Sequence, residues 1–379
     1  MRKIILVPDS FKGTMDSIEV CEIMEKAIKE IFPQTETVKI PMADGGEGTV
    51  DAFLTALGGR KIRLEVIGPL FKPVKSFYGI LPDGDTAIIE MAAASGLVLA
   101  GDQINPWNTT TYGTGQLIKD ALDRGCRKII IGIGGSATND GGIGVAAALG
   151  VRFLDKGGRE IPLTGQGLGM IEHIDISQKD ERLDDREIIV ACDVTNPLYG
   201  PDGAAYVYAP QKGADEHMVK LLDNNLRHFA KVLNKDLRIC IDTVPGTGAA
   251  GGLGAGLMAF ANATLRSGIK ILLEAVKFDE VAKDADLIIT GEGRIDGQSL
   301  KGKVPVGIGQ RALKIGVPVI AIVGSIGEDI DKVYGMGIRA VFSTNTRPMT
   351  FETAKLYCRD NLYQTTRSIM QLVKVFMKN

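Results

Sequence analysis

Five short stretches of this chain gather carboxylates, hydroxyls, amides or cations, four of them around glycine. They are Asp9-Ser10-Phe11-Lys12-Gly13, Asp44-Gly45-Gly46-Glu47-Gly48, the long run 132–142, Asp193-Val194-Thr195-Asn196-Pro197 and Gly291-Glu292-Gly293-Arg294-Ile295-Asp296. The run 132–142, GIGGSATNDGG, holds five glycines in eleven residues together with Ser136, Thr138, Asn139 and Asp140. A sharp strand-to-helix turn needs only one or two glycines. The surplus suits backbone that must approach an anion, because N–H groups exposed ahead of a helix hold phosphate oxygens. Phosphoryl transfer asks for such a cradle, a divalent metal on carboxylates, a cation against the developing charge, and a base beside the attacking hydroxyl. All four residue types are present. A single Asp or Ser ahead of a helix is more often an N-cap than a catalyst. Five such loops, each following an apolar run, are harder to explain as caps.

The elements that must carry these loops alternate strand and helix. Ile4 to Val7 reads as a buried strand, and 17–31 repeats its apolar positions every 3.6 residues, as a helix does. Val38 to Ile40 is the next strand, and 49–57 a helix closed by Gly58-Gly59. The rhythm then changes: 61–66, 74–81 and 86–91 read as an antiparallel or mixed meander. A helix over 114–122 and a strand over 129–131 lead into the glycine run, and a short helix over 143–149 leads out of it. Strands follow at 151–154, 188–191 and 205–208, with helices at 216–233 and 249–264. The last hundred residues return to the opening rhythm: strand 287–290, loop 291–293, helix 306–315, strands 317–323 and 340–342, and a terminal helix from about Glu352. Similar ends around an irregular middle predict a two-domain α/β chain. A discontinuous doubly wound, flavodoxin- or Rossmann-like domain (1–84 and 283–379) then carries a second α/β domain (85–282) as an insertion.

Composition narrows the function classes. With 379 residues the chain exceeds what one core usually supports. Net charge is -2 without a block of like charge, which argues against nucleic acid and membrane surfaces as partners. Glycine, at 47, is well above the roughly 27 that average usage gives. Five scattered cysteines without CxxC spacing predict a reducing cytoplasm and no zinc site. No leader-like segment opens the chain and no apolar run approaches membrane-spanning length. Three histidines with no paired spacing leave little for a histidine-based hydrolase or metal enzyme. Homo-oligomerisation is compatible with this sequence.

Two motifs imitate other nucleotide sites. Gly132-x-Gly134-x-x-Ala137, with Asp155 after the next strand, approaches a dinucleotide fingerprint and keeps an NAD(P)-dependent oxidoreductase as an alternative. Thr138 to Gly142 count against it, since they interrupt the helix that the fingerprint needs at its second glycine. Gly297 to Val304 falls one residue short of a P-loop, with Val304 where the Mg²⁺-binding hydroxyl belongs. Lys301 or Lys303 could still face a phosphate from there, although a solvated lysine is the simpler expectation. A non-catalytic protein that binds a small acid is the other alternative.

Several motifs together resemble the bacterial glycerate kinase type 1 family. They are Asp9 to Gly13, Ala43 to Thr49, Gly113-Thr114-Gly115, Gly134 to Gly142, Cys192-Asp193-Val194-x-Asn196-Pro197-Leu198 and Gly291-Glu292-Gly293-Arg294-x-Asp296. They run in order from Lys3 to about Ser343. The resemblance implies ATP-dependent phosphorylation of D-glycerate, with 2-phosphoglycerate favoured over 3-phosphoglycerate, and a site in the cleft between two α/β domains. On that basis Gly134, Gly135, Ser136, Thr138, Asn139, Gly141 and Gly142 are expected to hold phosphates, with Asp140 and Glu292 near Mg²⁺. Asp193 is the first candidate for general base and Asp296 the second, with Lys12 offsetting charge. Asp9, Ser10, Asp44, Gly45, Gly46, Glu47 and Arg294 are expected to bind glycerate or order its loop.

Overall fold

Ile4, Ile5, Leu6 and Val7 are wholly buried, the state of a strand covered on both faces of a parallel sheet. The computed structural model describes residues 1–43, 45–297, 299 and 303–377. In chain order its strands are β1 (Lys3–Pro8), β2 (Glu36–Lys39), β3 (Arg60–Ile67), β4 (Pro73–Ile80), β5 (Thr86–Glu90), β6 (Lys128–Gly132), β7 (Arg152–Leu154), β8 (His173–Asp175), β9 (Glu187–Ala191), β10 (Thr264–Arg266), β11 (Leu287–Ile295), β12 (Val319–Ile326) and β13 (Ile338–Ser343).

The chain divides into two compact units, one of residues 1–43, 51–57 and 269–379, the other of 44–50 and 58–268. The first holds a parallel sheet in the order β13-β12-β11-β1-β2. Counted within the unit this is the doubly wound order 2-1-3-4-5, whose ligand crevice opens where the winding reverses, between the carboxyl ends of β1 and β11. The helix Ser17–Ile31 starts on Asp16, whose side chain accepts from Glu19 N, and buries Val20, Cys21, Met24, Ala27, Ile28 and Ile31 as one stripe. That stripe shares a core with Leu362, Ile369 and Met370 of the terminal helix Phe351–Met377.

The second unit holds a six-stranded sheet, β10-β9-β6-β5-β4-β3. Its first four strands are parallel, and β5-β4-β3 is the expected antiparallel meander. Its two cores lie on Ile129, Ile131 and Val190 of the sheet, and on Phe153, Phe229 and Phe260 beside the β7–β8 hairpin and the helix Glu216–Leu237.

The structure differs from the sequence expectations at four places. β3 and β4 pair onto β5, so the second unit already includes residue 58, and it ends at 268 where the expected division stood at 84/85 and 282/283. The stretch read as a strand at 205–208 is the helix Ala204–Tyr208, since Ala204, Ala205 and Ala209 are buried on one side while Tyr206 and Val207 are exposed. β11 runs through 291–293, where a loop was expected, because β12 continues beside it with Glu292 opposite Val323 and Arg294 opposite Ser325. The helix Ala249–Ala261 breaks at 250–252, three consecutive left-handed residues, and ends on left-handed Asn262 before β10.

The turn after β6 lies against the backbone of 45–46. Gly134 N donates to Gly45 O at 2.9 Å, and a side chain on Gly132 would stand 2.4 Å from that same oxygen. Gly132→Ala must therefore displace backbone. The expected cost is about 1–3 kcal/mol, measured as a lower urea midpoint with an unchanged slope.

Candidate functional site

The ladder of β6 ends at Gly132, and the chain then turns through Gly134-Gly135-Ser136. Beyond the bond to Gly45, Leu97 N donates to Gly135 O at 2.9 Å and Ala137 N to Ser95 O at 3.0 Å. The turn is thus held on both sides and is left-handed at Gly135. Gly134, Gly135 and Ser136 line an open pocket of about 280 Å³ within the second unit, together with Gly46, Asp193 and Lys212. That volume is at the low end for small-ligand sites.

The rest of the glycine run faces inward. Thr138, Asn139 and Asp140 are fully buried, and Gly141 N donates to Gly251 O at 3.0 Å. Asp140 accepts from Thr111 N and Thr111 Oγ1, both at 2.8 Å, from Gly142 N at 3.1 Å and from Gly144 N at 3.3 Å. Burial pushes its carboxyl above the usual range, and these donors pull it back. The expected roles of Thr138, Asn139, Gly141 and Gly142 at phosphates and of Asp140 at Mg²⁺ do not match this placement. A carboxylate sealed from water must fill its lone pairs, and the nearest donors belong to its own loop and to Thr111. The same bonds count against the dinucleotide fingerprint, since the following helix, Ile143–Ala148, is six residues long with Gly142 N and Gly144 N already engaged. Thr138 Oγ1 and both amide atoms of Asn139 are buried without a hydrogen-bond partner.

Lys212 is the residue that sequence reasoning missed. It ends the turn Pro210–Lys212, is 1% exposed, and donates to Ser136 Oγ at 2.6 Å and Thr138 O at 2.7 Å. Burial holds its ammonium far below the ordinary lysine value of 10.5, at about 7. No glycine pattern marks it, and a lysine after Pro-Gln reads as surface. Asp193 stands just past β9, exposed at the pocket, with Oδ1 accepting from Gly268 N at 3.2 Å. Glu47 is exposed in the turn ahead of the helix Thr49–Leu57, and Gly45 and Gly46 are buried against the glycine turn. Asp44 and Lys301 lie outside the described residues.

The remaining candidates gather in the first unit, at the carboxyl ends of β1 and β11. Asp9 N donates to Gly291 O at 2.8 Å, and the Asp9 carboxylate accepts from Ser10 N at 2.6 Å. Glu292 is buried, accepts from Ser299 Oγ at 3.1 Å and pairs with Lys303 at 3.1 Å. Burial raises its carboxyl, Lys303 and Ser299 lower it, and the charge of Asp9 raises it further. Arg294 pairs with Asp296 at 3.2 Å, and Lys12 is exposed on the loop after β1. Among the described residues no group of three or more His, Cys, Asp or Glu side chains could hold a metal by itself.

These two strand-end clusters sit in a chain that matches a known family almost end to end. The glycerate kinase family model covers residues 4–374. The chain belongs to the glycerate kinase family. It is 49% identical over 378 residues to a glycerate 2-kinase of Escherichia coli K12, covering 100% of this chain and 99% of that one. To a glycerate kinase of Bacillus subtilis 168 it is 49% identical over 374 residues, 98% of each chain. A crystal structure of a protein assigned as glycerate kinase 2 from Salmonella typhimurium LT2 superposes with a TM-score of 0.89 at 45% identity, covering 100% of both chains.

In this family member Asp140 organises the loop that carries the pocket turn. Asp140→Ala strands Thr111 N, Gly142 N and Gly144 N in the interior. It is expected to lower stability by about 3 kcal/mol or more, read by urea unfolding without any ligand. A residue whose work is only to hold Mg²⁺ would leave that midpoint unchanged.

Proposed function

We propose that this chain transfers the γ-phosphoryl group of ATP to the 2-hydroxyl of D-glycerate, giving 2-phosphoglycerate and ADP. The observation that carries this is the full-length 49% identity to a glycerate 2-kinase. The hydroxyl oxygen forms the new bond to phosphorus, the bond from phosphorus to the ADP oxygen breaks, and the hydroxyl proton passes to a carboxylate. Asp193 is that carboxylate: it is exposed at the pocket beside the Gly134-Gly135-Ser136 turn, which receives the phosphates. Asp296 is the second candidate, and its carboxylate is already engaged by Arg294 at 3.2 Å. Lys12 and Arg294, both exposed cations, offset charge on glycerate or on the transferring group. Asp9, Ser10, Gly45, Gly46 and Glu47 shape the substrate's surroundings.

Mg²⁺ in kinases usually keeps several waters and takes one or two carboxylates besides the phosphates. Glu292 fits that demand, since each of its oxygens accepts one hydrogen bond and keeps a further lone pair. When bound, the ion neutralises phosphate charge. The unpaired thiols support a reducing compartment such as the cytoplasm. Among the described residues no helix is long and apolar enough to cross a membrane.

Coupled ADP release over a panel of hydroxy acids is expected to respond to D-glycerate, with phosphorus NMR placing the phosphate on C2. Turnover with another hydroxy acid alone would keep the kinase and reject the substrate. Asp193→Asn is expected to fold normally and lose about 10²-fold or more in kcat. A near-normal kcat would move the base to Asp296.

A further inference from the structure

The glycine turn is backed by a buried charge that the roles above leave unused. Lys212 donates only to neutral acceptors, Ser136 Oγ and Thr138 O, and among the described residues no carboxylate forms an ion pair with it. An ammonium taken out of water is costly unless an anion compensates it or it gives up its proton. Lys212 and Ser136 both line the pocket with Gly134 and Gly135. The pocket therefore borders both the lysine and the hydroxyl it bonds. Ser136 accepts from Lys212, which leaves its own O–H to donate toward the same space.

We propose that Lys212 is the phosphate-binding cation of the Gly134-Gly135-Ser136 turn, its Nζ reaching a nucleotide phosphate oxygen beside the Ser136 hydroxyl. The proposal rests on the assignment of this turn to phosphates and names the residue that supplies the charge there. The other titratable groups about Lys212 are Asp140, on the inner part of the same loop, and Asp193, Cys192 and Tyr208 along the pocket. Burial lowers Lys212, and the charge of Asp140 raises it in part. A phosphate against Nζ favours the charged form, so binding draws a proton from solvent onto Nζ, with no covalent bond changed. Above pH 7 nucleotide affinity then falls with rising pH, by at most about tenfold per unit.

The sign for stability is the reverse of an ion-paired lysine. Between about pH 7 and 10.5 the unfolded chain holds this proton and the folded chain does not. Lys212 therefore contributes stability that rises with pH across that window and is flat below it.

The test uses the intact enzyme with ADP as the probe. Titration calorimetry at pH 8.5, where the ADP phosphates are fully ionised, in buffers of different ionisation enthalpy, is expected to show uptake approaching one proton in the wild type. Lys212→Met is expected to fold with an equal or higher unfolding midpoint. It should weaken ADP binding by roughly 10- to 100-fold, lose the proton uptake, and leave glycerate-induced thermal protection in place. A merely structural lysine would give a lower midpoint and unchanged ADP affinity. Should Lys212→Met fail to fold, the wild-type proton count still decides: binding without uptake at pH 8.5 overturns the proposal.

Alkylation separates this proposal from the assignment beneath it. Cys192 lines the pocket, whereas Cys240 is exposed and is not among its lining residues. ADP is expected to shield Cys192 and not Cys240. Binding without that shielding rejects the turn as the phosphate site and the proposal with it. Shielding together with unchanged affinity in Lys212→Met rejects Lys212 alone.

Discussion

A carboxylate sealed from water has to be fully hydrogen-bonded, and in the second unit Asp140 meets that demand from inside its own loop. Its oxygens tie Thr111, Gly142 and Gly144 together at 2.8–3.3 Å. This fixes the inner half of the glycine run against the helix Ala249–Ala261, where Gly251 O receives Gly141 N. The outer half then has one course open to it. It turns through Gly134-Gly135-Ser136 with Gly45, Ser95 and Leu97 bonded along its edges and one face on the pocket. A turn held along both edges presents its backbone without further ordering, which is the physical content of a preorganised anion site.

Lys212 is the counterpart of Asp140. Both are buried, yet Asp140 is surrounded by donors whereas Lys212 touches only two neutral oxygens. Burial raises the one and lowers the other, in both cases toward the neutral form. The inner residue is satisfied by the fold and holds it together. The outer one is satisfied only in part, and its remaining demand is for an anion at the pocket. Natural proteins keep such costly groups chiefly where function needs them.

Much of this was legible in the amino-acid sequence. The strand-end loops, the meander at 61–91 and the alternation at both ends follow from apolar periodicity and from glycine at strand termini, and the sheets carry them. The failures share a cause. The stretch 205–208 is apolar at consecutive positions, so its period is ambiguous until Ala204, Ala205 and Ala209 find one core to enter. Gly291-Glu292-Gly293 looks like a turn by composition, yet β12 runs beside it and the ladder continues. In both, a distant segment overrode the local signal.

The sequence by itself determined the family, the α/β class and which loops carry polar chemistry, because those depend on residue type and spacing along the chain. Tertiary structure alone decided how the run 132–142 is divided. Gly134, Gly135 and Ser136 meet the pocket, and Thr138 to Gly142 lie buried, because Thr111 and Gly251 approach from elsewhere in the chain. It also decided that Lys212, 76 residues beyond Ser136, ends against that residue's hydroxyl. Burial and the company a charge keeps are properties of the folded surroundings, and local spacing carries no record of them.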